Sequence, residues 1–247
     1  MSDLVNIIGL ALLGGVLGLV GGVIMLTVKS WSKALANYAV PFAAGVLLTV
    51  SLLGIIPEAV EVVGESAFLV VFLGFLGSYL FESAFFALHH HEGHQHEAKG
   101  KAAVGLIIFG DTIHNFIDGV AIAAAYLINP GLGLITAIST FLHEVPHEIG
   151  DFGILLKSGW QKRKIIGVNL ISALSTVIGA LAVLYLAPSE ALEGYLLAGA
   201  AGLFLYLGAS DFLPQADENS QRLPQVAVMM LGMLIMYLTL NVIPHGH

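Results

Sequence analysis

Two short segments of the chain, GDTIHNFIDG (110–119) and HEVPHEIGD (143–151), hold side chains able to do metal chemistry. His143, Glu144 and His147 match HExxH, in which two imidazoles one helical turn apart hold zinc and the carboxylate activates a water. In the first segment Asp111, His114, Asn115 and Asp118 are related by helical steps of three, four and seven, so they share one stripe of a helix. His143, His147 and Asp151 form a second stripe, with Glu144 and Glu148 on its flank. The chain has no cysteine, which excludes disulfides and thiolate metal sites. A first-row divalent ion such as Zn²⁺ suits the imidazole, carboxylate and amide donors that remain.

The elements that must carry these stripes are oily. Of the 247 residues 57% are hydrophobic and 11% charged, and the mean hydropathy is +0.90. A soluble domain would carry about 25% charged residues. The net charge of −8 matters less than where the charges fall. The N-terminal MSDLVNIIG lacks the basic segment of a signal peptide, and its apolar run reads as a retained span. About 20 apolar residues cross a bilayer. That length predicts spans near 4–27, 38–57, 66–88, 103–127, 131–157, 165–187, 191–213 and 224–243. Their interiors are rich in Gly and Ala, as in GGVLGLVGG, which suits close helix contact in lipid. Pro41, Pro57, Pro146 and Pro214 lie in or near helices, where a missing N–H and a ring clash produce kinks. The expected fold is all-α: one membrane helix bundle over 1–247 with eight transmembrane helices and a His-rich loop at 89–102.

The basic residues orient that bundle. Lys29, Lys33, Lys99, Lys101, Lys157, Lys162, Arg163, Lys164 and Arg222 all fall on one side of the eight-span arrangement. The other side holds acids such as Asp3, Glu61, Glu65, Glu190 and Glu193. By the positive-inside rule the basic side is cytoplasmic, which predicts both termini and the Asn129-Pro130 turn outside.

The two polar stripes then fall at one depth. His114 lies 15 residues before Asn129 and His143 lies 13 after Pro130, so both sit roughly 20 Å from the turn that joins their helices. Asp118 and Glu144 share a level, while Asp111 and Asp151 lie nearer the cytoplasm. An ionised acid at a helix centre costs ~2.5–3.5 kcal/mol to insert, so these acids together cost on the order of 10 kcal/mol. A metal site between antiparallel helices accounts for such a cost. Asp111 and Asp151 fit equally a pathway lining or a cytoplasmic-end cap. Pro146 fits an ordinary packing kink or a carbonyl freed to face a cavity.

HNFIDG and HEVPHEIGDF together resemble the paired signatures of the ZIP (Zrt- and Irt-like protein) divalent metal transporters. Eight spans, external termini and a His-rich cytoplasmic loop between spans 3 and 4 are similar to that family as well. The resemblance implies a two-metal site in a transport pathway. By motif, His114, Asp118, His143 and His147 would hold one metal; Asn115, Glu144 and Glu148 would contribute to a second, with Asp118 or His147 bridging. LYLGASDFLPQ (205–215) resembles the family's span 7 ending, which would place Asp211 at the cytoplasmic exit. Two features depart from the pattern. SLLGIIPE offers Gly54 where members often carry a ligand, and span 6 has Asn169, Ser172 and Ser175 but no acid, leaving the second site less complete.

The expected function is secondary, non-ATP-driven movement of divalent metal, zinc first with Fe²⁺, Mn²⁺ or Cd²⁺ behind it. Import is the direction the resemblance implies. No GxxxxGK[ST] phosphate loop is present to bind ATP. The competing reading is an intramembrane zinc protease using the HExxH at 143–147. Pro146 inside the motif and a second ligand stripe on span 4 weigh against it, so no enzyme activity is expected. His89, His90, His91, His94 and His96 form a candidate accessory metal-binding cluster, or a solvated loop with incidental affinity. His245 and His247 would collect metal outside or simply form a tail. No organic cofactor and no nucleic acid are expected. The remaining partners are the divalent ion, the lipid bilayer and, through small-residue faces, a second copy in a homodimer. The expected location is the plasma (inner) membrane. Metal binding needs ionised acids and neutral imidazoles, so uptake should weaken at low pH.

Overall fold

The computed structural model describes residues 2–90, 96–187, 189–214 and 222–245, with the side chains at 29–36, 85–103 and 222 outside that description. His91, His94 and His247 lie outside the described residues, as do the side chains of His89, His90 and His96. No strand occurs among the described residues. The first span is α1 (Ser2–Gly14), a 3₁₀ turn at Val16–Gly18, and α2 (Leu19–Thr27). Next come α3 (Lys29–Val50), a π-helical segment at Ser51–Ile55, and α4 (Ile56–Val63). Helices α5 (Ser66–His90), α6 (His96–Ile128) and α7 (Pro130–Lys157) follow. Then come α8 (Lys162–Ala173), α9 (Ser175–Leu186) and α10 (Glu190–Tyr206). A second π-helical segment, Leu207–Phe212, extends α10, and α11 (Arg222–Val242) is the last helix among the described residues.

Among the described residues seven segments are long and apolar enough to cross a membrane: 2–27, 37–63, 66–84, 104–128, 162–186, 190–212 and 223–242. The 28-residue α7 is long enough too. Its His143, Glu144, His147, Glu148 and Asp151 lower its apolarity below that of the other seven. Its neighbours bury His143, Glu144, Glu148 and Asp151 and cover most of His147.

Local signals set the boundaries. Asn129 caps α7 by accepting hydrogen bonds from the Gly131 and Leu132 N–H groups at 2.8 and 3.3 Å, and Pro130 occupies the first turn, where its missing N–H costs nothing. Ser189 caps α10 through the Leu192 N–H at 3.4 Å. Gly64 takes φ of +66° just after α4, a conformation that a Cβ would strain. Pro146 is buried within α7, which continues through it as helix.

The helices pack as two groups. One joins α1, α2, α6, α7, α8 and α9; the other joins α3, α4, α5, α10 and α11. They meet where α3 packs on α7 and α10 packs on α6. The tightest crossing in the first group is α6 on α9, where a Cβ on Gly119 would fall 1.9 Å from the Thr176 carbonyl oxygen. A Cβ on Gly179 would fall 2.0 Å from the Phe116 carbonyl oxygen, so the two glycines let the backbones touch. Burial runs opposite to a soluble protein: Leu69, Phe72, Leu80, Ile178 and Leu234 face outward, while Asp118, His143, Glu144 and Glu148 are fully buried.

One end of the bundle gathers both described chain ends. The Tyr126 hydroxyl, at the end of α6, donates to Asp3 Oδ1 at 3.3 Å and accepts from Asn6 Nδ2 at 2.8 Å. The carbonyl of Pro244 lies against Gly131 at the start of α7. At the opposite end Lys162 Nζ donates to the Leu26 carbonyl at 2.7 Å, satisfying an orphan acceptor at the end of α2.

Candidate metal centre

Antiparallel packing of α6 on α7 brings the two stripes together. His143 Nε2 lies 3.3 Å from Asp118 Oδ2, and His114 Nε2 lies 3.0 Å from Glu144 Oε1 and 3.6 Å from Asp118 Oδ2. Toward the other end of the pair, His147 Nδ1 lies 3.5 Å from Asp111 Oδ1. These contacts resolve into three sets, each with ligand atoms within 4.8 Å of one another: His114, Asp118, His143, Glu144; Asp111, Glu144, Glu148; and Asp111, His147, Asp151. Glu144 belongs to the first two sets and Asp111 to the last two.

The donor atoms are aimed at one another without satisfying one another. Both carboxylate oxygens of Asp118, Glu144 and Glu148, Asp111 Oδ2, and the facing nitrogens of His114, His143 and His147 are buried without a hydrogen-bond partner among the described residues. The short His–carboxylate approaches therefore lack hydrogen-bond angles. Leaving such groups unmade in a membrane core costs several kcal/mol each. A divalent cation satisfies imidazole and carboxylate lone pairs together, and the donor set suits one.

Neighbouring groups orient these candidate donors. His143 Nδ1 donates to the Ser139 carbonyl at 2.9 Å, which fixes the tautomer and leaves the Nε2 lone pair facing Asp118. The His143 ring packs against Phe204 of α10 at a centroid distance of 5.3 Å, so an aromatic wall of the second helix group covers the cluster. On the other flank the 3₁₀ turn leading into α2 comes so close that a Cβ on Gly18 would fall 2.5 Å from Glu144 Cβ. The glycine run of the first span thus serves to lay α2 over the polar face of α7.

The structure sorts the expected residues more finely than their spacing did. His114, Asp118 and His143 converge, and Glu144 joins them, whereas His147 belongs to the set with Asp111 and Asp151. Glu144 and Asp111 are the residues common to two of these candidate sets; the motif-based expectation gave the bridging position to Asp118 or His147. Asn115 lies outside all three sets. Its amide Nδ2 donates to Asp111 Oδ1 at 2.9 Å, and its Oδ1 accepts from the Thr176 hydroxyl at 3.1 Å. Thr176 is a residue that sequence reasoning passed over, although it stands one helical turn beyond Ser172 on the same stripe. Asp211 lies away from the cluster, on a cavity of about 680 Å³ between α5, α6 and α10 whose wall also holds His114 and His147. At that cavity the Tyr206 hydroxyl donates to Glu82, a pairing no motif announced.

Comparison with known proteins agrees with this chemistry. The model of the ZIP Zinc transporter family matches residues 89–240. The chain is 38% identical to Zinc transporter foi of Drosophila melanogaster over 133 residues, 54% of this chain and 19% of that protein. It is 36% identical to Zinc transporter zipt-7.2 of Caenorhabditis elegans over 56% of this chain and 32% of the relative. With human Zinc transporter ZIP4 the identity is 44% over 109 residues, 44% of this chain and 17% of the relative. The chain therefore spans less than a third of the length of these relatives.

Proposed function

The chain belongs to the ZIP zinc transporter family, and from that premise we propose that it carries zinc across a membrane into the cytoplasm without hydrolysing ATP. One observation carries the reading: imidazoles and carboxylates from α6 and α7 converge, buried and without hydrogen-bond partners, midway along two antiparallel helices. His114, Asp118, His143 and Glu144 act as the primary ion site, and Asp111, Glu144 and Glu148 as its neighbour. Asp111, Asp151 and Asp211 line the way toward the cytoplasm. Fe²⁺, Mn²⁺ and Cd²⁺ fit the same donors.

In this reading α7 is the span that brings the count to eight, both termini face outside, and the protein is a multi-pass component of the plasma membrane. The shared end of Asp3, Tyr126, Gly131 and Pro244 supports termini on one side. Two helix groups meeting at α3–α7 and α6–α10 suit alternating access, with α6 and α7 moving against the group that holds Phe204. The His-rich segment 89–102 serves as an accessory to released ion, and small-residue faces allow a homodimer.

The hydrolytic alternative lacks support. Glu144 lies within the ligand set, 3.0 Å from His114, instead of standing off it to activate water, and the named relatives are zinc transporters. The deciding experiment is zinc uptake into proteoliposomes by wild type, His143→Ala and Glu144→Gln. Uptake should be lost in both variants. Uptake retained in both, with peptide cleavage abolished in Glu144→Gln, would overturn the proposal.

A further inference from the structure

Beside the metal centre runs a groove of different chemistry. Its floor is α10, its two rims are α5 and α6, and it encloses about 680 Å³. Helix α5 packs along α10 but scarcely meets α6, which leaves the space between the rims open. Leu73 on one rim and Phe116 on the other are exposed, and in a membrane bundle such side chains face hydrocarbon. Along the floor the groove runs from Tyr195 to Asp211, roughly 24 Å at the rise of a helix. Ile113, Ile117, Leu196 and Leu203 make its wall largely apolar. Two imidazoles of the metal centre, His114 and His147, also stand in that wall, and the His147 side chain is 22% exposed.

Water is a poor occupant for such a space, because an ordered water needs several polar partners and this wall offers few. Bilayer hydrocarbon stands at the opening and loses nothing by entering. The groove also has one polar end. Glu82, half-buried on α5, and Asp211 line it at the end of the bundle that holds Lys157. The Tyr206 hydroxyl donates to Glu82 and fixes that carboxylate at the mouth. Phe75 and Tyr79 pack edge-on against the Tyr206 ring at centroid distances of 5.4 and 6.4 Å. Aromatic groups of this kind sit at head-group level in a bilayer. An apolar slot with a few polar groups gathered at one end has the anatomy of a site for an amphiphile. Two carboxylates at that end favour a cationic terminus and repel an anionic one.

We propose that the groove holds one phospholipid, with an acyl chain between α5 and α6 against His114 and His147 and a primary ammonium head group on Glu82 and Asp211. The phosphate behind the ammonium stays at the aqueous edge. The chain closes the metal centre sideways against water, a task that no side chain of α5 performs. Binding of the lipid requires only that the bundle spans a membrane and is independent of the direction or rate of ion movement.

Native mass spectrometry of the purified full-length chain, titrated with dioleoyl phosphatidylethanolamine or dioleoyl phosphatidylglycerol, tests the site. One phosphatidylethanolamine per chain is expected, with a midpoint about tenfold tighter than that of phosphatidylglycerol, the worth of one hydrogen bond to a charged group. Gly77 lines the groove, and a Cβ there would meet nothing within 4 Å, so Gly77→Phe enters open space and should abolish the adduct. Glu82→Gln keeps an acceptor for Tyr206 while removing the charge, and it should weaken phosphatidylethanolamine to the level of phosphatidylglycerol. No saturable adduct in the wild type, equal midpoints for the two lipids, or an adduct unmoved by Gly77→Phe overturns the proposal. A dimer that carries no lipid and is broken by Gly77→Phe overturns it as well, since a second copy would then fill the groove. Should Gly77→Phe fail to fold, Glu82→Gln decides, and a lipid preference equal to wild type in that variant overturns the head-group assignment.

Discussion

Glu144 is the residue on which the two readings of HExxH diverge. A hydrolytic glutamate stands off the metal and acts on its water; here Glu144 approaches His114 at 3.0 Å and is common to two ligand sets. Glu144→Gln should therefore lower zinc binding at both sets, read as a drop in bound-zinc stoichiometry by elemental analysis of the purified protein. A stoichiometry equal to wild type would remove Glu144 from the ligands. Asn115 shows the opposite case, a polar residue in the motif that orients another. Thr176→Val deletes the hydroxyl that fixes the Asn115 amide, and the loss of such an outer partner costs about 10–100-fold in metal affinity. Thr176→Ser keeps the hydroxyl and should restore most of it. Equal zinc affinity in Val and Ser variants would show that Thr176 matters only for packing.

At the scale of elements, the site depends on helices that carry no ligand. Gly18 of the 3₁₀ turn and Gly21 and Gly22 of α2 bring an apolar backbone over α7, and a side chain at Gly18 would collide with Glu144. Gly18→Val should displace Glu144 and abolish uptake while leaving the protein monodisperse by size-exclusion chromatography. Normal uptake by that variant would show that the contact yields freely. The α6–α9 crossing is less forgiving, because the atoms opposite Gly119 and Gly179 are backbone. Gly119→Leu should destabilise the bundle by about 1–3 kcal/mol or more, seen as a lower midpoint in detergent thermal melts. An unchanged melt would mean that α9 can retreat from α6. Two π-helical segments, Ser51–Ile55 and Leu207–Phe212, leave no signal in the sequence, since a helix apolar on nearly every side has no hydrophobic period for an extra residue to shift. The second carries Asp211 and so decides where that acid points.

Across the whole molecule, charge and hydropathy make two further predictions. Ionised carboxylates and neutral imidazoles bind a divalent ion, and protons compete for both. Zinc uptake should fall as external pH drops from about 8 to about 5, and a flat profile would separate these ligands from the rate-controlling steps. Orientation is open to thiol labelling, because no native cysteine interferes. A cysteine placed by Glu65→Cys should react with an impermeant reagent in intact cells, and one placed by Ser158→Cys only after permeabilisation. The reverse pattern would invert the bundle.

The all-helical architecture, the approximate spans and the two ligand stripes were legible from the sequence. Hydrophobic length and helical period are local properties, and a buried ionisable residue is costly wherever it occurs. The common depth of HNFIDG and HEVPHEIGD was legible too, because one short turn fixes the register of two antiparallel helices. Tertiary structure decided which candidate donors come within ligand distance of one another. His147 sides with Asp111 and Asp151, Glu144 and Asp111 are shared, and Asn115 turns to Asp111 under the hold of Thr176. Helical spacing says which residues share a face. Which atoms come within ligand distance depends on how closely α2, α6, α7 and α9 approach, and that is set by Gly119 at the end of HNFIDG together with Gly18 and Gly179, far from the motifs in sequence.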